Sequence, residues 1–140
     1  MNQLELAIKF AVDAHMSQVD KANKPYILHP IAVMMKGKSE TEMIIGILHD
    51  VVEDCNITER ILYDAGFDED IVDAVLAISR IPGETFFDYI ERCKQNPLAR
   101  QVKIYDLEHN MSPERQASLP LDVQIGLMKR YTKAMEIVKF

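Results

Sequence analysis

Helix start signals recur along this chain, each followed by apolar residues three and four positions apart. That succession of caps and stripes leaves little room for anything but an all-helical fold. Asn2 with Glu5 has capping-box spacing, and Leu4, Ala7, Ala11 and Ala14 follow on one face, so a first helix is expected to reach about Val19. A loop with Lys21, Asn23 and Pro25 comes next, then a helix over roughly His29 to Lys36, with Pro30 in its first turn. Ser39 and Glu42 open a third helix whose Met43, Ile44, Ile47, Leu48 and Val51 make an apolar face. Thr58 caps a short helix ending at Gly66, and Asp68 caps another with Ile71, Val72, Val75 and Leu76 inward. After a break at 81–84, helices are expected over Phe86–Lys94, from Asn96-Pro97 to about Asn110, and over Ile125–Val138, with a loop from Met111 to Leu119. No stretch alternates apolar and polar residues for long, so strands are not expected. The expectation is a compact bundle of short-connected helices in a single domain over 1–140.

Composition narrows the partners. A chain of 140 residues, 48% hydrophobic, can close one core without disulfides or metal staples. The net charge of −6 works against duplex nucleic acid as a partner. No apolar run reaches the ~20 residues that span a bilayer, and the N-terminus lacks the basic start and apolar block of a secretion signal. A cytoplasmic protein that avoids membranes is expected. Cys55 and Cys93 form no C-x-x-C pair, which argues against a thiolate zinc site.

Three segments carry candidate chemistry. The first is His49-Asp50-Val51-Val52-Glu53-Asp54, directly after the very apolar run Met43–Leu48. Treated as one continuous helix at about 100° per residue, His49, Glu53, Asp50 and Asp54 fall within an arc of about 140°. Carboxylates that close stay ionised only with a counter-charge, and a divalent cation supplies one. An acidic surface patch would explain Glu53-Asp54 alone equally well. The second is Pro25-Tyr26-Ile27-Leu28-His29-Pro30, where a lone histidine gains meaning only from partners elsewhere. In the third, Lys103 to Asn110, Asp106 and Asn110 are spaced i, i+4 and point the same way. Taken alone, that segment reads as a solvated face.

Together, and in this order, Ala14-His15 with Gln18, Lys21, Pro25–Pro30, Leu48–Asp54 and Asp106–Asn110 resemble the HD superfamily of metal-dependent phosphohydrolases. Within it, the chain looks most like the hydrolase domain of the Rel/Spo homologues, which remove the 3′-pyrophosphate of the alarmone ppGpp. The resemblance runs from Ala7 to at least Asn110 and implies a compact helical HD-type bundle. By resemblance, His29, His49, Asp50 and Asp106 are the ligands of one divalent ion, manganese in the family. Glu53 and Asp54 are the catalytic acidic pair, and Lys21 and Asn110 contact a small nucleotide substrate. Lys103 is a further cation that could meet phosphate. His15 and His109 are expected to be structural.

The chain departs from the family at two places. Asp20 stands where a basic residue usually helps hold guanine, and Ser112-Pro113 replaces an Arg-Thr pair after the Asn-Met step. The resemblance therefore implies an intact metal set and an altered substrate-reading shell. Another nucleotide, such as a nucleoside phosphate or NADPH, is the alternative substrate, and a non-catalytic nucleotide-binding module is the alternative class. Oligomeric state is not read from the sequence. With the chain ending at Phe140, an alarmone enzyme of this kind is expected to stand alone, without a synthetase domain.

Overall fold

Capping drives the architecture. The computed structural model describes residues 2–140, with Met1 outside them. Among the described residues it contains helices and one isolated β-bridge, so the all-α class expected from the sequence is the class observed. The helices are α1 (Gln3–Ala14), α2 (Leu28–Lys36), α3 (Glu40–Leu48), α4 (Val51–Cys55) and α5 (Glu59–Ala65), followed by α6 (Glu69–Ala77), α7 (Phe86–Lys94), α8 (Pro97–Asn110), α9 (Pro113–Gln116) and α10 (Leu121–Lys139). Asn2, Ser39, Thr58, Thr85, Asn96 and Ser112 each accept a hydrogen bond from a backbone N–H in the first turn of the helix they precede. Pro97 and Pro113 sit in first turns, where a missing N–H costs nothing.

Helix α3 is the central post. Ile44, Ile45, Gly46, Ile47 and Leu48 are all buried, so the C-terminal half of this helix is apolar on every side, and the helix is packed on by α1, α2, α6 and α8. Its Ile44, Ile47 and Leu48 join Ala7, Ala11, Val51, Leu62, Phe67 and Val72 in one half of the core. Ile45 faces the other half, with Val33, Ile90, Val102, Leu107 and Val138. Gly46 permits the close approach of α2, because a Cβ there would lie 3.0 Å from Met34 Cα.

Four expectations need correction. The first helix ends at Ala14, not near Val19. His15 caps it, and Ser17 at φ 70° cannot continue a right-handed helix. The third helix does not run through Val51 but stops at Leu48, with Asp50 at φ −104°, ψ −3° before α4 begins. The His49 side chain is the physical reason. Its Nδ1–H donates to Gly46 O at 2.6 Å, the carbonyl that a continuing helix would pair with the Asp50 N–H. The segment read as a loop from Met111 to Leu119 contains α9, because Ser112 caps it and Pro113 starts it. The last helix begins at Leu121, four residues before the expected Ile125.

Candidate metal centre and substrate cleft

The break after α3 turns two adjacent polar residues inward beside the starts and ends of other helices. His29 from the first turn of α2, His49 and Asp50 from the α3–α4 junction, and Asp106 from α8 converge. His29 Nε2 lies 2.9 Å and His49 Nε2 3.2 Å from Asp106 Oδ1. The same two nitrogens lie 3.7 and 3.2 Å from Asp50 Oδ2. His29, His49 and Asp50 each offer a ligand atom within 4.8 Å of the others, a set that could hold a metal ion. His29, His49 and Asp106 are 2–4% exposed, so these polar groups depend on one another or on an ion rather than on water.

The surroundings fix the orientation of the donors. His49 gives its Nδ1–H to Gly46 O, which leaves Nε2 facing the carboxylates. His29 Nδ1 meets His109 Nδ1 at 2.7 Å and turns its Nε2 inward. The Tyr26 hydroxyl donates to Asp50 Oδ2 at 2.7 Å. Lys103 Nζ donates to Asp106 Oδ2 at 2.8 Å, and Asn110 Nδ2 to Asp106 Oδ1 at 3.2 Å. Two imidazoles whose Nε2 atoms face two carboxylates that are backed by hydrogen bonds are a donor set suited to a divalent transition-metal ion.

Electrostatics follow this arrangement. Burial pushes the His49 imidazolium down, but the Asp50 and Asp106 carboxylates together raise its pKa well above the ordinary value. Burial works to raise Asp106, but the Lys103 ammonium and the His49 ring overcome it and hold Asp106 well below the usual carboxylate range. Asp50 is likewise lowered against its burial, chiefly by His49. His109 is pushed down to about 4, first by burial and then by His29, so it is neutral at pH 7.

The remaining candidates take separate places. Glu53 and Asp54 stand on α4 at the exposed rim, not on one face of a helix shared with His49, because the break at 49–50 removes the common wheel. Burial of the carboxyl ends is nonetheless the first of the causes raising both pKa values. Glu53 Oε1 accepts from the Arg80 N–H at 2.5 Å, which ties α4 to the segment after α6. Lys103 is buried, with Nζ on Asp106 and 5.0 Å from the Tyr89 ring centroid, so it backs the cluster and does not face a phosphate. His15 is packed beside Tyr26, with Nδ1 2.8 Å from Gln18 Oε1 and 3.3 Å from Cys55 Sγ, which agrees with a structural role.

A cleft of about 740 Å³ opens beside His29, lined among others by Lys21, Tyr26, Leu28, Asn110, Arg115 and Tyr131. Its near wall is the 17–25 loop, pinched by the Val19–Pro25 bridge and by the Asp20 N–H on Lys24 O at 2.8 Å. Lys21 stands exposed at the tip of that loop. Asp20 is not presented to the cleft as a lone carboxylate. Its Oδ1 accepts from the Ala22 and Lys24 N–H groups at 2.8 and 3.0 Å, and Arg115 stands beside its Oδ2. Asn110 is held at both ends, since its Oδ1 accepts from Arg115 Nη2 at 3.3 Å. Sequence reasoning missed Arg115 and the Tyr26 hydroxyl. Arg115 arrives on the unexpected α9 and had no local signal, whereas Tyr26, three residues before His29, sat within a quoted motif.

No protein-family model matches the chain. The "Bifunctional (p)ppGpp synthase/hydrolase RelA" of Mycobacterium tuberculosis is 32% identical over 132 residues, spanning 81% of this chain and 18% of that protein. The "Guanosine-3′,5′-bis(diphosphate) 3′-pyrophosphohydrolase" of Vibrio cholerae is 34% identical over 90 residues, spanning 61% of this chain and 13% of that protein. The chain thus spans less than a fifth of the length of these two relatives. Among solved structures, a metazoan ortholog of SpoT, described as hydrolyzing ppGpp with a role in starvation responses, superposes with a TM-score of 0.81. That match has 18% sequence identity and covers 99% of this chain and 86% of the other. By sequence kinship and by fold, the chain belongs to the HD superfamily, among the domains of the Rel/Spo homologues.

Proposed function

We propose that this chain is a metal-dependent phosphohydrolase that removes the 3′-pyrophosphate of guanosine 3′,5′-bis(diphosphate). The observation that carries the reading is the convergence of His29, His49, Asp50 and Asp106 beside a nucleotide-sized cleft. The activities by which the Vibrio relative and the metazoan structure are known support the same substrate class. The net charge of −6 fits a small nucleotide better than a nucleic acid, and no helix among the described residues is long and apolar enough to cross a membrane. The cytoplasm is the proposed compartment.

In this reading the four converging side chains hold one divalent ion, with manganese as the proposed metal. When bound, such an ion polarises a phosphoryl oxygen and lowers the pKa of water towards ~7. Tyr26 and Lys103 keep Asp50 and Asp106 oriented and ionised. Glu53 uses the carboxylate oxygen not held by Arg80 to orient the attacking water and accept its proton, with Asp54 beside it. Its raised pKa brings the base nearer to neutral pH, where proton transfer is most effective. Asn110 meets the ribose and Lys21 the phosphate charge. The water oxygen bonds to the phosphorus carried by the 3′ oxygen, the bond from that phosphorus to the 3′ oxygen breaks, and the 3′ oxygen takes up the proton that Glu53 accepted, so that pyrophosphate and guanosine 5′-diphosphate leave.

The second reading, hydrolysis of another nucleotide such as a nucleoside phosphate or NADPH, is favoured by Asp20, which lines the cleft, and by Ser112-Pro113 in the sequence just after Asn110. Purified protein with added manganese, assayed for phosphate and pyrophosphate release over ppGpp, NADPH and nucleoside monophosphates, separates them. Pyrophosphate release fastest on ppGpp is expected. Release only from another nucleotide replaces the substrate, and no turnover at all favours a binding module.

A further inference from the structure

The cleft beside His29 also carries charged residues that the proposed hydrolysis does not use. Besides Lys21, it is lined by Lys24 and Arg115 together with Asp20 and Glu114. Arg115 has the largest unused donor capacity there. A guanidinium carries five N–H donors in a rigid fork. Nη2 reaches Asn110 Oδ1 at 3.3 Å, while Nη1 stands 3.9 Å from Asp20 Oδ2, outside hydrogen-bond range. The side chain remains 26% exposed, so it is not committed to the core. Asp20 already serves its own turn through Oδ1, and only Oδ2 is directed towards the guanidinium. Asn110 bridges Arg115 and Asp106, with Oδ1 on Arg115 and Nδ2 on Asp106. The Arg115 guanidinium is therefore joined to the histidine–aspartate cluster through a single side chain, Asn110.

We infer that Arg115 binds the substrate's second phosphate group, the one that is not hydrolysed, and that Asp20 Oδ2 is an internal competitor for the same guanidinium. The inference rests on the nucleotide-hydrolase reading above. Two phosphate oxygens match the fork better than one carboxylate oxygen at 3.9 Å, so an arriving phosphate displaces a weak, partly solvated pair. Arg115 also supplies, from α9, a cation at the loop wall where position 20 offers none.

The test is isothermal titration of the metal-loaded full chain with guanosine 5′-diphosphate and, separately, with guanosine. Three proteins are compared: wild type, Arg115→Gln and Asp20→Asn. Arg115→Gln should weaken guanosine 5′-diphosphate binding about tenfold, the scale of one charge-assisted contact. Asp20→Asn retains an Oδ1 acceptor for the turn and removes the competing charge, so it should strengthen the same binding several-fold. Guanosine affinity should be alike in all three. If Arg115 is only a clamp between loop and α9, both variants weaken binding, and the inference is overturned. An unchanged affinity in Arg115→Gln overturns it too, as does an equal loss for guanosine, which would put the contact on the base. Pyrophosphate release by the wild type is read independently. Turnover without these shifts sinks the Arg115 site alone, and these shifts without turnover sink the hydrolase reading alone.

Discussion

Lys103→Met probes how the protein keeps a carboxylate ionised in its interior. Asp106 is 4% exposed, with Oδ1 shared by His29, His49 and Asn110, while Oδ2 accepts from Lys103 at 2.8 Å. Methionine keeps a long side chain beside Tyr89 and removes the ammonium, with both its charge and its hydrogen bond to Asp106. Breaking one side of a buried ion pair typically costs 3–5 kcal/mol, and relief of the buried ammonium offsets part of it, so about 3 kcal/mol is expected for metal-free protein. A divalent ion would take over the neutralisation of Asp106 and leave the loss of one hydrogen bond, about 1 kcal/mol. The difference of about 2 kcal/mol must reappear as tighter metal binding, roughly 30-fold, because removing an ammonium next to a cation site relieves repulsion. Urea melts of wild type and variant, with chelator and with saturating manganese, read both quantities. Equal destabilisation in the two conditions, or weaker metal binding in the variant, would refute the reasoning.

Glu53→Gln should keep metal content and fold while lowering turnover by roughly 10²-fold, the scale of a lost general base. In the wild type the base must be deprotonated and its pKa is raised, chiefly by burial, so the rate should climb with pH through a value above that of an ordinary glutamate. The variant should lose that acid limb, and pH–rate profiles of the two proteins check it. Tyr26→Phe removes the hydroxyl that orients Asp50, and metal affinity should fall about tenfold with little change in stability. Competition with a metal-sensitive dye measures that affinity.

Much of the fold could be read from local chemistry. Ser39 before α3, Thr58 before α5 and Asn96-Pro97 before α8 cap the helices that the sequence suggests, because capping depends on a side chain and the N–H groups three residues on. The errors lie where a distant or side-chain partner decides. The break after Leu48 escapes the apolar periodicity, since it depends on the His49 side chain taking the Gly46 carbonyl. The end of the first helix is set by the left-handed Ser17, a residue type with no strong preference for that conformation. Asp20 reads as an exposed charge facing the nucleotide, yet its own loop uses one oxygen and Arg115 meets the other. The four residues that converge come from three separate segments, so no single spacing reveals them, and only their order across the chain does.

The central claim is that His29, His49, Asp50 and Asp106 together hold one divalent ion. Elemental analysis of purified wild type and His49→Ala, after manganese loading and removal of free metal, tests it most directly. The account predicts about one ion per wild-type chain and almost none in His49→Ala, because a site reduced to three ligands loses affinity and geometry together. Equal metal content in the two proteins, with the variant folded, would contradict it.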